Sequence, residues 1–312
     1  MSSSDPIHVP LSRDSTMQDV CALESLFLSP PSSCVEITPS TLAERFNRDH
    51  AILGSGAASW LRFESDLFLC QGVPPRRESF ERVWLIDADD TLWEDNLHFE
   101  ELIQELILHA KSQGVPCSPQ ELRACIDAVE HEIIPKLGFG AEGFSVSLRE
   151  SWARIKSLHA PLAKDPDTLF EKVIPYLRSV PFAISDETLY FLSELRKNES
   201  HAIVLFTQGP LETQVQKIVN STLARLFDGI AVGRNKKTET YRALVESLHF
   251  KGKSYAVVGN SLNSEIRPAL ELGYEAFHLL NPNSWHSVNS VELPVQSYKQ
   301  VTSLSEILPI SS

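Results

Sequence analysis

Two aspartates one residue apart, Asp87 and Asp89, close the apolar run Val83-Trp84-Leu85-Ile86, and Thr91 follows at the same spacing. Side chains alternate faces along a strand, so Asp87 and Asp89 project to the same side of its end. Carboxylates that close repel, and a shared proton or a divalent cation is what compensates them. Mg2+ is a hard cation that takes oxygen ligands and keeps waters or substrate oxygens in its shell. The spacing therefore predicts a metal-assisted site with one nucleophilic and one proton-handling carboxylate. The plainer alternative is a solvated acidic turn at the end of a strand.

Such a site needs a frame, and the rest of the chain supplies one. Short apolar runs at 82–86, 202–206, 229–232, 254–258 and 276–280 read as buried strands. Helical patterns at 211–226, 238–248 and 263–272 separate the later ones, with a last helical turn at 304–307. This rhythm predicts an α/β fold with a Rossmann-like, parallel, five-stranded core covered on both faces. Chemistry in such sheets gathers at the carboxyl ends of the strands. The second strand ends in Thr207-Gln208-Gly209, a hydroxyl and backbone amides before a helix, suited to an anion or simply to capping. The third is followed by Lys236 and Lys237, which would neutralise a phosphate or form a solvated pair. The fourth ends in Gly259-Asn260-Ser261 with Glu265 beyond, offering oxygen donors to a metal.

Residues 97–198, between the first two strands, are helix-rich. Leu102, Ile103, Leu106, Ile107 and Ala110 recur at helical spacing, and Ser118-Pro119-Gln120-Glu121 is a capping box with proline at the first helical position. Gly138 to Gly143 marks a loop, another amphipathic run ends near Arg178, and Ser185 caps a helix over 186–197. Residues 1–80 read as an N-terminal extension. Its first fifteen residues are polar and expected to be disordered. Short helices are expected within 16–28 and 41–70. The stretch Gly54 to Ser59 lacks the preceding strand and the Gly-Lys-Ser/Thr ending of a phosphate loop, and Pro74 to Arg77 reads as a linker.

The chain has 312 residues, 42% hydrophobic and 22% charged, which is ordinary for a globular protein with a sizeable core. A net charge of −13 argues against nucleic acid or an anionic membrane as partner. Five scattered cysteines (21, 34, 70, 117 and 125) form no CxxC pair and fit reduced thiols in a cytoplasmic protein. The opening Met-Ser-Ser-Ser-Asp-Pro lacks the basic flank and apolar core of a signal peptide, and no apolar stretch is long enough to span a membrane. There is no Gly-x-Ser-x-Gly elbow and no HExxH.

The ordered set Asp87-x-Asp89-x-Thr91, Thr207, Lys236 or Lys237, and Gly259-Asn260 with Glu265 resembles the haloacid dehalogenase-like (HAD) hydrolase superfamily over residues 81–310. Leu92 to Asn96, the run Gly143 to Ser147 and Ser264-Glu265-Ile266 resemble a phosphatase subgroup. The resemblance implies a core of residues 81–96 and 199–312 with residues 97–198 as a mobile cap. It implies that Asp87 attacks phosphorus, that Asp89 handles the proton, and that Thr207, Gln208 and Gly209 with the lysine hold the phosphoryl group. It further implies Mg2+ bound by Asp87, Asp89, Glu265 and Asn260, where the superfamily usually has aspartate in place of Asn260. The substrate would be a small phosphorylated metabolite. A catalytically weak or inactive regulatory or scaffold protein with the same fold, and a phosphomutase, are the alternatives.

Overall fold

A computed structural model describes residues 57–63, 67–73, 76–179, 183–284 and 293–308. The expectations for 1–15, 16–28, 41–56 and the first half of the Gly54 to Ser59 turn lie outside the described residues. An eight-stranded sheet organises the rest. Its strands are β1 (Ala57–Phe63), β2 (Leu67–Val73), β3 (Ser79–Ile86), β4 (His201–Gln208), β5 (Gly229–Gly233), β6 (Lys251–Gly259), β7 (Glu275–Leu279) and β8 (Lys299–Val301). The spatial order is β1-β2-β5-β4-β3-β6-β7-β8. From β5 to β8 every neighbouring pair is parallel, whereas β2 runs antiparallel to β5 and β1 to β2.

Three strands therefore add to the five expected. The segments 57–63 and 67–73 are strands and not the short helices expected within 41–70. Leu67, Leu69 and Cys70 are buried and Phe68 is half-buried, a pattern that pairing with β5 satisfies better than a helix would. The third addition, β8, is three residues long and lies outside β7, too short to show a period in sequence. The stretch 76–77 is tied down: Arg76 bonds the Asp228 carboxylate (3.1 Å) and the His201 carbonyl (2.6 Å).

The central strand β3 is apolar because it is covered on both faces. Val83, Trp84, Leu85 and Ile86 are all at most 1% exposed. Its register sets Ile86 beside Leu205 of β4 and Val258 of β6. The chain then winds one way through β4 and β5 and the other way through β6, β7 and β8. The strand order reverses at β3 and β6, so a crevice opens at their carboxyl ends.

Eight α-helices are described: α1 (Asn96–Ser112), α2 (Pro119–Leu137), α3 (Ala141–His159), α4 (Asp167–Ser179), α5 (Asp186–Lys197), α6 (Leu211–Ser221), α7 (Thr238–Ser247) and α8 (Arg267–Glu271). The first four, inserted between β3 and β4, share a core of their own that includes Leu102, Leu106, Ile126, Phe144, Trp152 and Val173. A second cluster, with Val83, Leu85, Phe206, Tyr241 and Val257, lies under α7 and α8 against the sheet. The capping box on α2 forms as expected: the Glu121 amide donates to Ser118 Oγ and the Ser118 amide to Glu121 Oε2. Helix α5 packs against β4, and Thr188 Oγ1 donates to the Leu92 carbonyl (3.0 Å). The helices that share the insertion's core thus end at Ser179, short of residue 198.

Candidate active site

The site is built on the end of β3. The Asp87 amide donates to the Val258 carbonyl of β6 (3.0 Å), so the sheet ladder sets its position. Its carboxylate accepts a hydrogen bond from Thr91 Oγ1 on Oδ2 (2.9 Å) and from the Lys236 ammonium on Oδ1. Lys236 Nζ also donates to Glu265 Oε1 (2.9 Å), and the other Glu265 oxygen accepts from the Ser261 amide (2.9 Å). Burial would lower the Lys236 pKa, but the charges of Asp87 and Glu265 outweigh it and hold the ammonium above its ordinary value. Burial pushes the Glu265 carboxyl up to about 7, with Lys236 opposing and Asp87 reinforcing the shift. Gly259 is required here because a Cβ would meet Glu265 Cγ at 2.3 Å.

Asp89 has a separate set of partners, and all of them donate to it. Trp93 Nε1 reaches Oδ1 at 2.7 Å and Gln214 Nε2 reaches Oδ2 at 2.9 Å. Lys217 Nζ lies 3.1 Å from each oxygen, and its second carboxylate partner is Asp95 Oδ1 at 2.6 Å. Burial opposes the charge on Lys217, but Asp89 and Asp95 overcome it and raise its pKa. Burial, and then the charge of Asp89, raises the Asp95 pKa, while Lys217 opposes both. Between the two aspartates Asp90 adopts a left-handed φ of 58°, uncommon for a residue other than glycine. That turn aims its Oδ1 at the amides of Asp95 and Asn96 (2.8 and 2.9 Å), the first unpaired donors of α1. Burial raises the Asp90 pKa to about 7 despite those two bonds.

The remaining expected residues divide. Thr207 is 1% exposed and donates to Gln214 Oε1 (3.0 Å), so it connects through Gln214 to Asp89. Gln208 lines the same cleft. The Gly209 amide, expected to grip phosphate, is committed to the Gly233 carbonyl (3.0 Å) as the β4–β5 ladder continues past the strand, so it offers no donor. Of the two lysines, Lys236 enters the carboxylate cluster. Lys237 is exposed and immediately precedes α7, pointing away from the cluster that holds its neighbour.

A cation would find oxygen donors beside Asp87. Among the described residues there is no group of three or more His, Cys, Asp or Glu side chains placed to hold a metal. Both Glu265 oxygens accept hydrogen bonds, from Lys236 and the Ser261 amide, as both Asp87 oxygens do from Thr91 and Lys236, and each carboxylate keeps further lone pairs for a cation. The Asp89 side chain is turned to Lys217, which leaves its main-chain carbonyl as the donor expected of that residue. Asn260 Nδ2 donates to Ser284 Oγ (2.7 Å), which leaves Oδ1 3.5 Å from the Thr91 hydroxyl that also serves Asp87. One carboxylate and one amide oxygen flank the same point. These donors fit Mg2+, which binds through few protein oxygens and keeps waters or phosphate oxygens.

Across the cleft the insertion contributes Phe99, Ile134, Phe139, Phe144 and Leu177, with Arg178 among them. Gln214 and Lys217 carry no expectation from sequence, whereas Asp90, Trp93 and Asp95 lie in the stretch that carries the resemblance but with no role assigned there. Gln214 and Lys217 are three apart on α6, hence on one helical face, and both are polar; that spacing was the available signal.

The fold is that of the haloacid dehalogenase-like hydrolases. A haloacid dehalogenase-like family hydrolase from Xanthomonas campestris superposes with a TM-score of 0.59 at 22% identity, covering 75% of this chain and 96% of that one. YfnB of Bacillus subtilis, a HAD hydrolase by its description and crystallised with magnesium, gives a TM-score of 0.50 at 18% identity, over 74% of this chain and 98% of that one. A dehalogenase gives 0.50 at 14% identity over 73% and 96%. No family model matches the sequence, and no curated protein matches it in sequence. No helix among the described residues is long and apolar enough to cross a membrane.

Proposed function

We propose that this protein is a Mg2+-dependent phosphatase that hydrolyses a small phosphate monoester through an aspartyl-phosphate. One observation carries the reading. Asp87, oriented by Thr91 and Lys236, and Asp89, with its own cationic partner, stand two residues apart at the crevice where the strand order reverses. A dehalogenase can use the first carboxylate on a carbon centre but has no task for the second, so Asp89 favours phosphoryl transfer.

In the first step an Asp87 oxygen forms a bond to phosphorus as the ester P–O bond breaks. The departing oxygen takes its proton from Asp89. In the second step Asp89 takes a proton from water, whose oxygen attacks phosphorus, and the Asp87–phosphorus bond breaks to release phosphate. Splitting the reaction this way replaces one difficult displacement by two easier ones. Lys236 offsets charge next to Asp87, and Thr207 offers its hydroxyl to a phosphoryl oxygen once its bond to Gln214 is exchanged. Asp87, the Asp89 carbonyl, Asn260 and Glu265 would hold Mg2+, which would supply positive charge that screens the nucleophile from the phosphate. The apolar wall of the insertion would exclude water from the closed cleft.

The test is release of inorganic phosphate from an aryl phosphate and a panel of phosphometabolites, with and without Mg2+, for the wild type and Asp87→Asn. Turnover that needs Mg2+ and vanishes in Asp87→Asn is expected. Equal rates in the two proteins would overturn the catalytic role. Transfer to an isomer without phosphate release would identify a mutase, and silence across the panel a regulatory protein with the same fold.

A further inference from the structure

We propose that Lys217 is a positioning residue that ties the proton-handling Asp89 to the root of the inserted helices. The proposal rests on the phosphatase reading for the role of Asp89, but the linkage itself is geometric. Lys217 Nζ is shared by both Asp89 oxygens (3.1 Å each) and Asp95 Oδ1 (2.6 Å). Its side chain is 15% exposed, so the ammonium is enclosed by these carboxylates and has little access to bulk solvent. The three acceptors match the three hydrogens of an ammonium group. Lys217 is therefore already satisfied without a substrate phosphate.

The second observation concerns Asp95. An aspartate directly before a helix ordinarily caps that helix with its own side chain. Asp95 makes no such bond. The donors at the start of α1 go to Asp90, and the Asp95 carboxylate turns to Lys217 instead. Asp95 is thus released from a local duty and spent on a contact reaching α6. Gln214, one turn before Lys217, restrains the other side of Asp89 (2.9 Å), and Trp93 Nε1 closes the set at 2.7 Å. Asp89 and Asp95, the residue directly before α1, hold the same ammonium. Any displacement of α1 relative to the sheet carries Asp95 and so acts on Asp89 through Lys217.

The role predicts a particular kinetic signature. Protonation of the leaving oxygen matters greatly for an alkyl phosphate and little for 4-nitrophenyl phosphate, whose anion leaves unaided. Lys217→Met is expected to lower kcat for an alkyl phosphate about 10-fold to 100-fold, inside the range that a proton-transferring group is worth. The same variant should lower kcat for 4-nitrophenyl phosphate no more than about threefold and leave KM within about twofold, because binding contacts are retained. Lys217→Arg should recover most of the alkyl phosphate rate, and Asp95→Asn should fall between.

A readout independent of turnover comes from Trp93, whose indole N–H donates to Asp89. Its proton–nitrogen NMR resonance, identified by its loss in Trp93→Phe, should shift in Lys217→Met and stay near the wild-type position in Lys217→Arg. Thermal melts check that the variants are folded. An unmoved indole resonance in folded Lys217→Met would overturn the proposal, as would equal loss of kcat on both esters or a rise in KM alone. If the wild type hydrolyses no phosphate ester, the phosphatase reading fails; the indole shift then still decides whether Lys217 positions Asp89.

Discussion

Asp87 and Asp89 leave the same strand two residues apart, and each meets a lysine that bridges it to a second acid. The two bridges differ in where they lie. Lys236, Asp87 and Glu265 have side chains 1%, 8% and 3% exposed, and all three come from strand ends or the turns beside them. Lys217, Asp89 and Asp95 are 15%, 24% and 19% exposed, and Asp95 belongs to the root of the insertion. A buried set held entirely by the sheet has one arrangement available to it. A set that spans two parts of the chain can be rearranged when those parts move. Asp87 thus has a fixed setting, while Asp89 has one that the insertion can alter.

Four experiments probe that contrast. The largest effect is expected at Asp87, the proposed nucleophile: Asp87→Asn should lower kcat by about 10⁴-fold or more, and Asp89→Asn by about 10²–10⁴-fold. Comparable losses measured on a good and a poor leaving group for Asp89→Asn would erase the distinction between the two carboxylates. Next comes stability. Lys236→Met strands two buried carboxylates and should cost about 3–5 kcal/mol in denaturant unfolding. Lys217→Met, in the more open bridge, should cost about 1 kcal/mol. Equal costs would break the comparison.

A third effect comes from Asp90, which lies between the bridges and is held by amides. Its folded pKa of about 7 stands above the ordinary 3.8, so the folded state keeps this proton longer than the unfolded chain does. Its contribution is therefore fully present below about 3.8 and is lost as pH rises to about 7. Asp90→Asn should remove that loss, gaining on the order of 4 kcal/mol over wild type at pH 8 relative to pH 4. Urea midpoints at the two pH values measure it, and parallel curves for the two proteins would sink the assignment. The smallest effect is expected at Lys237, which lies outside both bridges: Lys237→Ala should leave kcat/KM within about twofold.

The contrast also marks what the sequence could reveal. Asp87, Thr207, Lys236, Asn260 and Glu265 were legible because each follows a strand, and the order of a parallel sheet places strand ends together. Which oxygens face which partner was not legible. Glu265 reads as a metal donor in sequence, and only the structure shows that its carboxylate also meets Lys236 and the Ser261 amide. Lys237 could not be separated from Lys236 until the start of α7 fixed which of two adjacent side chains turns inward. Lys217 and Asp95 were hidden for a different reason. Neither ends a strand, and their meeting depends on how α6 sits beside the root of α1. Strand β2 escapes a local reading because its pairing with β5 joins segments far apart in the chain, and β1 enters the sheet only through β2.

That pairing has a consequence for the making of the protein. Strand β2 leaves the ribosome early with Leu67, Leu69 and Cys70, each at most 1% exposed in the finished sheet. One hydrogen-bonding partner, β1, precedes it, but the other, residues 229–233, is synthesised only after the entire insertion has been made. Contacts of such long sequence separation form slowly, whereas the insertion's own core is assembled from neighbouring helices. The nascent chain therefore carries a folded helical unit while its first strands wait with apolar side chains uncovered, a state that invites aggregation or a chaperone. Ribosome-arrested chains ending before Gly229 should cross-link to a chaperone through residues 67–70, and chains extended to the final residue should not; equal cross-linking at both lengths would show that the early strands find cover elsewhere.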